Sequence, residues 1–131
     1  MLALESVFDT GLATVLDAFQ TANELADLSG LSSSRFDVTV VGVRRNVKTS
    51  QGFAVPVHPM AKRAPDCVVV PAIGFKMPDA LQRALARPDI RDASAVLRQW
   101  ADHGRRRGRW RPTFDPYLRC LPRAFPGPGH R

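Results

Sequence analysis

Few residues in this chain could do chemistry, and their spacing limits what that chemistry could be. There are two cysteines and three histidines. Cys67 stands inside the apolar run Asp66-Cys67-Val68-Val69-Val70. A nucleophilic thiolate needs a helix N-terminus or a neighbouring base to stabilise it. A strand interior supplies neither, so Cys67 reads as a small buried hydrophobe. Cys120 lies between Arg119 and Leu121, where no predicted element positions a base beside it. The pair makes neither a disulfide framework nor a CxxC metal clip. His58, His103 and His130 lack ligand spacing to one another, to cysteine or to a carboxylate. Neither a phosphate-binding glycine loop nor a GxSxG elbow is present. The expectation is no catalytic residue, no metal and no cofactor.

Two positions carry a ligand-binding reading. Asp9 falls in the loop after the first apolar segment, and Gly74 in the loop after the run ending at Val70. In open α/β sheets, ligands bind at the carboxyl ends of the strands, where both loops would lie. Gly74 there would let the backbone approach a ligand closely. The plainer readings are an N-cap for the first helix at Asp9 and a simple turn at Gly74. A third cluster, Arg105, Arg106, Arg107, Arg109 and Arg111 with Trp110 among them, resembles an arginine-rich nucleic-acid-binding segment. Charge alone would give it weak, salt-dependent binding to polyanions.

These positions depend on elements that the hydrophobic pattern outlines. Met1 to Leu4 reads as the end of a strand. Leu12, Val15, Leu16, Phe19 and Ala22 recur at i, i+3, i+4, i+7 and i+10, one face of a helix, with Asp9 or Thr10 as cap and Gly30 as stop. Residues 36–43 are rich in β-branched side chains and read as a strand buried on both faces. Residues 44–59 form an extended polar arm with a turn at Ser50-Gln51-Gly52; Pro56 and Pro59 bar its end from any central strand position. Residues 66–70 are the next strand, stopped by Pro71 to Gly74. Pro78-Asp79 and Pro88-Asp89 each start a helix. Leu81 and Leu85 share a face of the first. Ile90, Ala93, Leu97 and Trp100 line the second, and Gly104 suits its end.

Strands alternating with helices predict an α/β domain with a mostly parallel sheet. The chain has 131 residues, 44% of them hydrophobic and 24% charged, enough for one soluble domain. No apolar run approaches a membrane span, and the N-terminus lacks signal-peptide character. The formal charge of +7 is unevenly placed. Residues 1–103 carry 11 basic and 11 acidic side chains, whereas residues 104–131 carry eight arginines and one acid, Asp115. The same tail holds five of the eleven prolines and has no helical or strand period, so it is expected to be disordered.

The segments Phe8-Asp9-Thr10-Gly11-Leu12-Ala13, residues 36–44 and Pro65-Asp66-Cys67-Val68-Val69-Val70-Pro71-Ala72-Ile73-Gly74 resemble, in order and character, the first half of a PfpI-like domain of the class I glutamine-amidotransferase-like superfamily. The likeness is to the branch that forms the N-terminal domain of AraC-type (GlxA-like) transcriptional regulators, and it covers residues 1–103. It implies a flavodoxin-like sandwich, here partial and truncated, often a homodimer, with a small-molecule effector and with DNA a partner only in an intact, full-length regulator; the cysteine usage separately points to a reducing, cytoplasmic setting. In the enzymatic relatives a carboxylate in the loop holding Asp9 orients a cysteine nucleophile. That cysteine sits on a tight turn one strand beyond the helix matched by residues 88–103. Nothing after Gly104 resembles that strand, the turn or a helix-turn-helix module.

Three functions compete at this point. The first is a non-catalytic fragment of a ligand-sensing or dimerisation domain. The second is a small PfpI-like hydrolase or glyoxalase-like enzyme, and the third a basic nucleic-acid-binding protein acting through its tail. The coincidence of the charge break with the loss of pattern suggests that residues 104–131 are an out-of-frame reading of a GC-rich gene, since shifted frames of such DNA yield Arg, Pro and Gly; the simpler alternative is a natural divergent tail. Sequencing the coding DNA past codon 104 should then uncover, in another frame, an apolar strand, an elbow and later helix-turn-helix helices. Alternative frames interrupted by stops would overturn this.

Overall fold

The computed structural model describes residues 1–30, 35–62 and 64–106. Helix α1 (Asp9–Leu28) forms where the predicted apolar face repeats. Leu12 is buried, and Val15, Leu16, Phe19 and Ala22 are half-buried. The helix ends at Ser29, and Gly30 turns the chain at φ +69°, a left-handed conformation that glycine adopts without steric cost. Asp9 is not the N-cap. Phe8 takes that place without a side-chain hydrogen bond, and Asp9, the first helical residue, sends its carboxylate elsewhere. Past residue 34 the chain is strapped to α1. The Asn23 amide donates to Phe36 O at 2.9 Å and accepts from Phe36 N at 2.7 Å, while Arg35 pairs with Asp27 and the rings of Phe19 and Phe36 lie 4.9 Å apart.

The sheet is short and parallel. Strand β1 (Val41–Gly42) lies between β4 (His58–Pro59) and the N-terminal residues. Val41 stands opposite His58 on one side and Leu2 on the other. Ala3 N donates to Val41 O at 2.9 Å, and Val41 N to Met1 O at 2.8 Å. Beyond the N-terminal segment, Leu2 N donates to Val69 O at 2.8 Å. The chain's first residues are therefore flanked by β1 and by the segment through Val69. The predicted arm folds into an antiparallel hairpin, β2 (Asn46–Lys48) against β3 (Ala54–Pro56), with Val47 opposite Val55. Its prolines stand at or beside the strand ends, where a missing N–H costs little.

Side chains alternate across a strand, so Leu2 and Ala3 enter different cores. Leu2, fully buried, packs with Val68, Ala93 and Trp100. Ala3 packs with Val7, Leu12 and Val47. Helix α3 (Pro88–Arg106) thus covers one face and α1 the other. Helix α2 (Pro78–Leu85) starts at the predicted Pro78, but Ala84 is the residue it buries and Leu85 is exposed. In α3, Ile90, Ala93, Trp100 and Ala101 are buried. The Trp100 indole N–H donates to Ala61 O at 3.1 Å, which removes the penalty of burying it.

Three expectations change. Residues 36–43 are not buried on both faces: Phe36, Asp37 and Thr39 are exposed. The reason lies in their partners: the bridge to the N-terminal segment is made at Val41, whereas Phe36 is tied through its backbone to Asn23 on α1. Residues 66–70, expected as a strand, form none, although Val68 and Val69 are buried and Val69 O accepts from Leu2 N. Gly104 does not end its helix; it is buried within α3, which continues to Arg106. Arg105 and Arg106 thus belong to the last turn of α3, whereas Arg107, Arg109 and Arg111 lie outside the described residues, as does nearly all of the segment expected to be disordered. Among the described residues, no helix is long and apolar enough to cross a membrane.

Trp100 joins the core, α3 and Ala61, so Trp100→Ala should cost about 3–5 kcal/mol. Leu28→Ala, at a side chain 85% exposed, should change stability by about 0.5 kcal/mol or less. Urea unfolding of the two variants checks both.

Candidate functional site

Asp9 and Gly74 are 65 positions apart in the sequence and meet across one residue, Ser50. The Ser50 hydroxyl donates to Asp9 Oδ2 at 2.7 Å, and the Gln51 backbone N–H donates to the same oxygen at 3.1 Å. On the other side of Ser50 is Gly74. A Cβ built there would lie 2.4 Å from Ser50 Cβ and 3.0 Å from its Oγ. The close approach that glycine permits at position 74 is thus an approach to Ser50.

Residues 5–9 bring these groups together. Val7 bridges Thr49 in a parallel sense and Ile73 in an antiparallel one. Ser50 N donates to Val7 O at 2.9 Å, and Phe8 N to Ala72 O at 2.8 Å. Ser6 is left-handed at φ +66°, which costs a non-glycine residue about 1–2 kcal/mol. Two bonds fix it there: its N–H donates to Lys48 O, and its carbonyl accepts from Gly74 N, each at 2.7 Å. Arg87, between α2 and α3, completes the frame. It donates to Glu5 O at 2.7 Å and grips both carboxylate oxygens of Asp89 at 3.1 Å. Asp89 is 4% exposed, and this fork supplies the opposite charge that its burial requires.

The electrostatics at Asp9 favour its charged form. The Thr49 hydroxyl contributes most, followed by Ser50 and Gln51; together they outweigh desolvation and hold the carboxyl below its ordinary 3.8. Oδ1 is enclosed and accepts no well-formed hydrogen bond, and the Thr49 hydroxyl itself accepts from Phe53 N at 3.0 Å. The influence of Thr49 on Asp9 is therefore that of a nearby dipole, without a linear bond to Oδ1. A carboxylate held in this way is a weak base near neutral pH. Asp9 and Ser50 therefore form a staple for the turn over residues 49–53 and are poorly suited to act as a nucleophile and base. Phe53 and Met77, whose segments flank Ser50, are 67% and 68% exposed and leave apolar surface at this end of the sheet.

Other candidates fall away from this place. Cys67 is half-buried and is not a free thiol. His58 is exposed on β4, and His103 is exposed on α3. Among the described residues, no group of three or more His, Cys, Asp or Glu could hold a metal ion. Residue type and spacing alone do not mark Ser50, Thr49, Arg87 or Asp89 as site residues. Ser50 stood in a recognised turn, and Asp89 was visible as a helix-start acid. Arg87, two residues before Asp89, was the signal for the pair.

No family model, no curated protein and no solved structure matches this chain.

Two predictions follow from the packing and the charge. Gly74→Ala forces a methyl into Ser50 and should cost about 1–3 kcal/mol. Adding Ser50→Gly should recover part of that loss, and a double-mutant cycle by urea unfolding reads the coupling. Asp9 has a lower pKa folded than unfolded, so its stabilising effect is full above the unfolded value, near 3.8, and is lost as pH falls from there through the folded value. Asp9→Asn should therefore lower stability at neutral pH and flatten the acid limb of the stability-against-pH curve. An unchanged acid limb would contradict this.

Proposed function

We propose that residues 1–106 form the core of a non-catalytic, ligand-sensing or dimerisation domain of the kind found at the N-terminus of AraC-type regulators, built on a flavodoxin-like plan. The order of segments supports this reading. With β4 set aside as an added segment beside β1, the N-terminal segment lies between β1 and the segment through Val69, the 2-1-3 order of that plan, and α1 and α3 lie on opposite faces. A parallel sheet wound in both directions from its first strand places its ligand site where the winding reverses, beyond the carboxyl ends of the strands. The observation that carries the reading is the meeting of Asp9, Ser50 and Gly74 at that end. The ligand class is a small polar molecule, held beside the turn over residues 49–53. Catalysis has less support, because the Ser50 proton is committed to a carboxylate that is a weak base.

The test is a binding screen of the full chain against small polar metabolites, followed by amide chemical shifts. A ligand should move the resonances of residues 6–9, 49–53 and 73–75. Asp9→Asn, by loosening the turn over residues 49–53 that it holds, should weaken its binding about tenfold. Shifts confined to other surfaces, or affinity indifferent to Asp9→Asn, would refute the reading. Ester hydrolysis abolished by Ser50→Ala would favour the hydrolase instead.

A further inference from the structure

We draw no further inference here: the strongest candidate, the outward end of α1 where Leu25 and Leu28 stand exposed beside Glu24 and Asp27, is an unpartnered apolar face, and nothing in the structure shows what covers it.

Discussion

Between the first extended segment and α1 the chain has only residues 5–8 in which to satisfy a run of backbone donors and acceptors. It does so by reaching segments distant in sequence. Glu5 O accepts from Arg87, Ser6 bonds Lys48 through its N–H and Gly74 through its carbonyl, Val7 O accepts from Ser50, and Phe8 N reaches Ala72. A buried backbone group left unpaired costs about 1–3 kcal/mol, so each of these connections is expensive to break. Together they hold the β2–β3 hairpin, the loop over residues 71–75 and the α2–α3 corner in one arrangement. The left-handed Ser6 is the local cost of turning sharply enough to make all of them.

Arg87 differs in kind from the other contacts. Its fork neutralises Asp89 and its remaining bond holds Glu5 O, with Phe75 beneath the guanidinium at 5.9 Å. A lysine keeps the charge and loses the planar fork. Asp89 also sits in the first turn of α3, where a negative charge complements the helix dipole. One buried carboxylate thus serves the start of a helix and, through Arg87, the turn that shapes the candidate site. The pair belongs to the scaffold and yet lies one bond from Glu5 and the turn that positions Asp9.

Local pattern was enough to read the helices. The apolar repeat from Leu12 to Ala22 and the prolines opening α2 and α3 are signals that a single turn of helix can express. Strand extents are harder, because how far residues 36–43 enter a ladder depends on partners in other parts of the chain, such as Leu2 for Val41 and Asn23 for Phe36. The hairpin is not legible in the sequence because its inward positions, Val47 and Val55, are too few to show alternation and prolines crowd its second strand. Gly104 fits a helix end by type, but as a buried small residue it is tolerated within α3. At the site, the sequence pointed to Asp9 and Gly74 but not to what joins them. Capping rules weigh only nearby N–H groups, whereas the partner of Asp9 is a turn that docks from 41 residues away. Position 74 announced a need for room, and the neighbour requiring it was Ser50.

The opposed burial of Leu2 and Ala3 has a consequence for how the chain acquires its structure. Each belongs to a core whose other members lie further along the sequence: Leu12 and Val47 on one face, Val68, Ala93 and Trp100 on the other. This segment can therefore complete the hydrogen bonding described above only after residue 69 has been synthesised, and its packing only after residue 100. Closing such long loops carries an entropic cost before the contacts that offset it exist. Non-local pairing of this kind slows folding relative to helices that form from adjacent residues. Helix α1 can gather early around its own residues, while the segment it must cover waits, extended, for the far end of the domain.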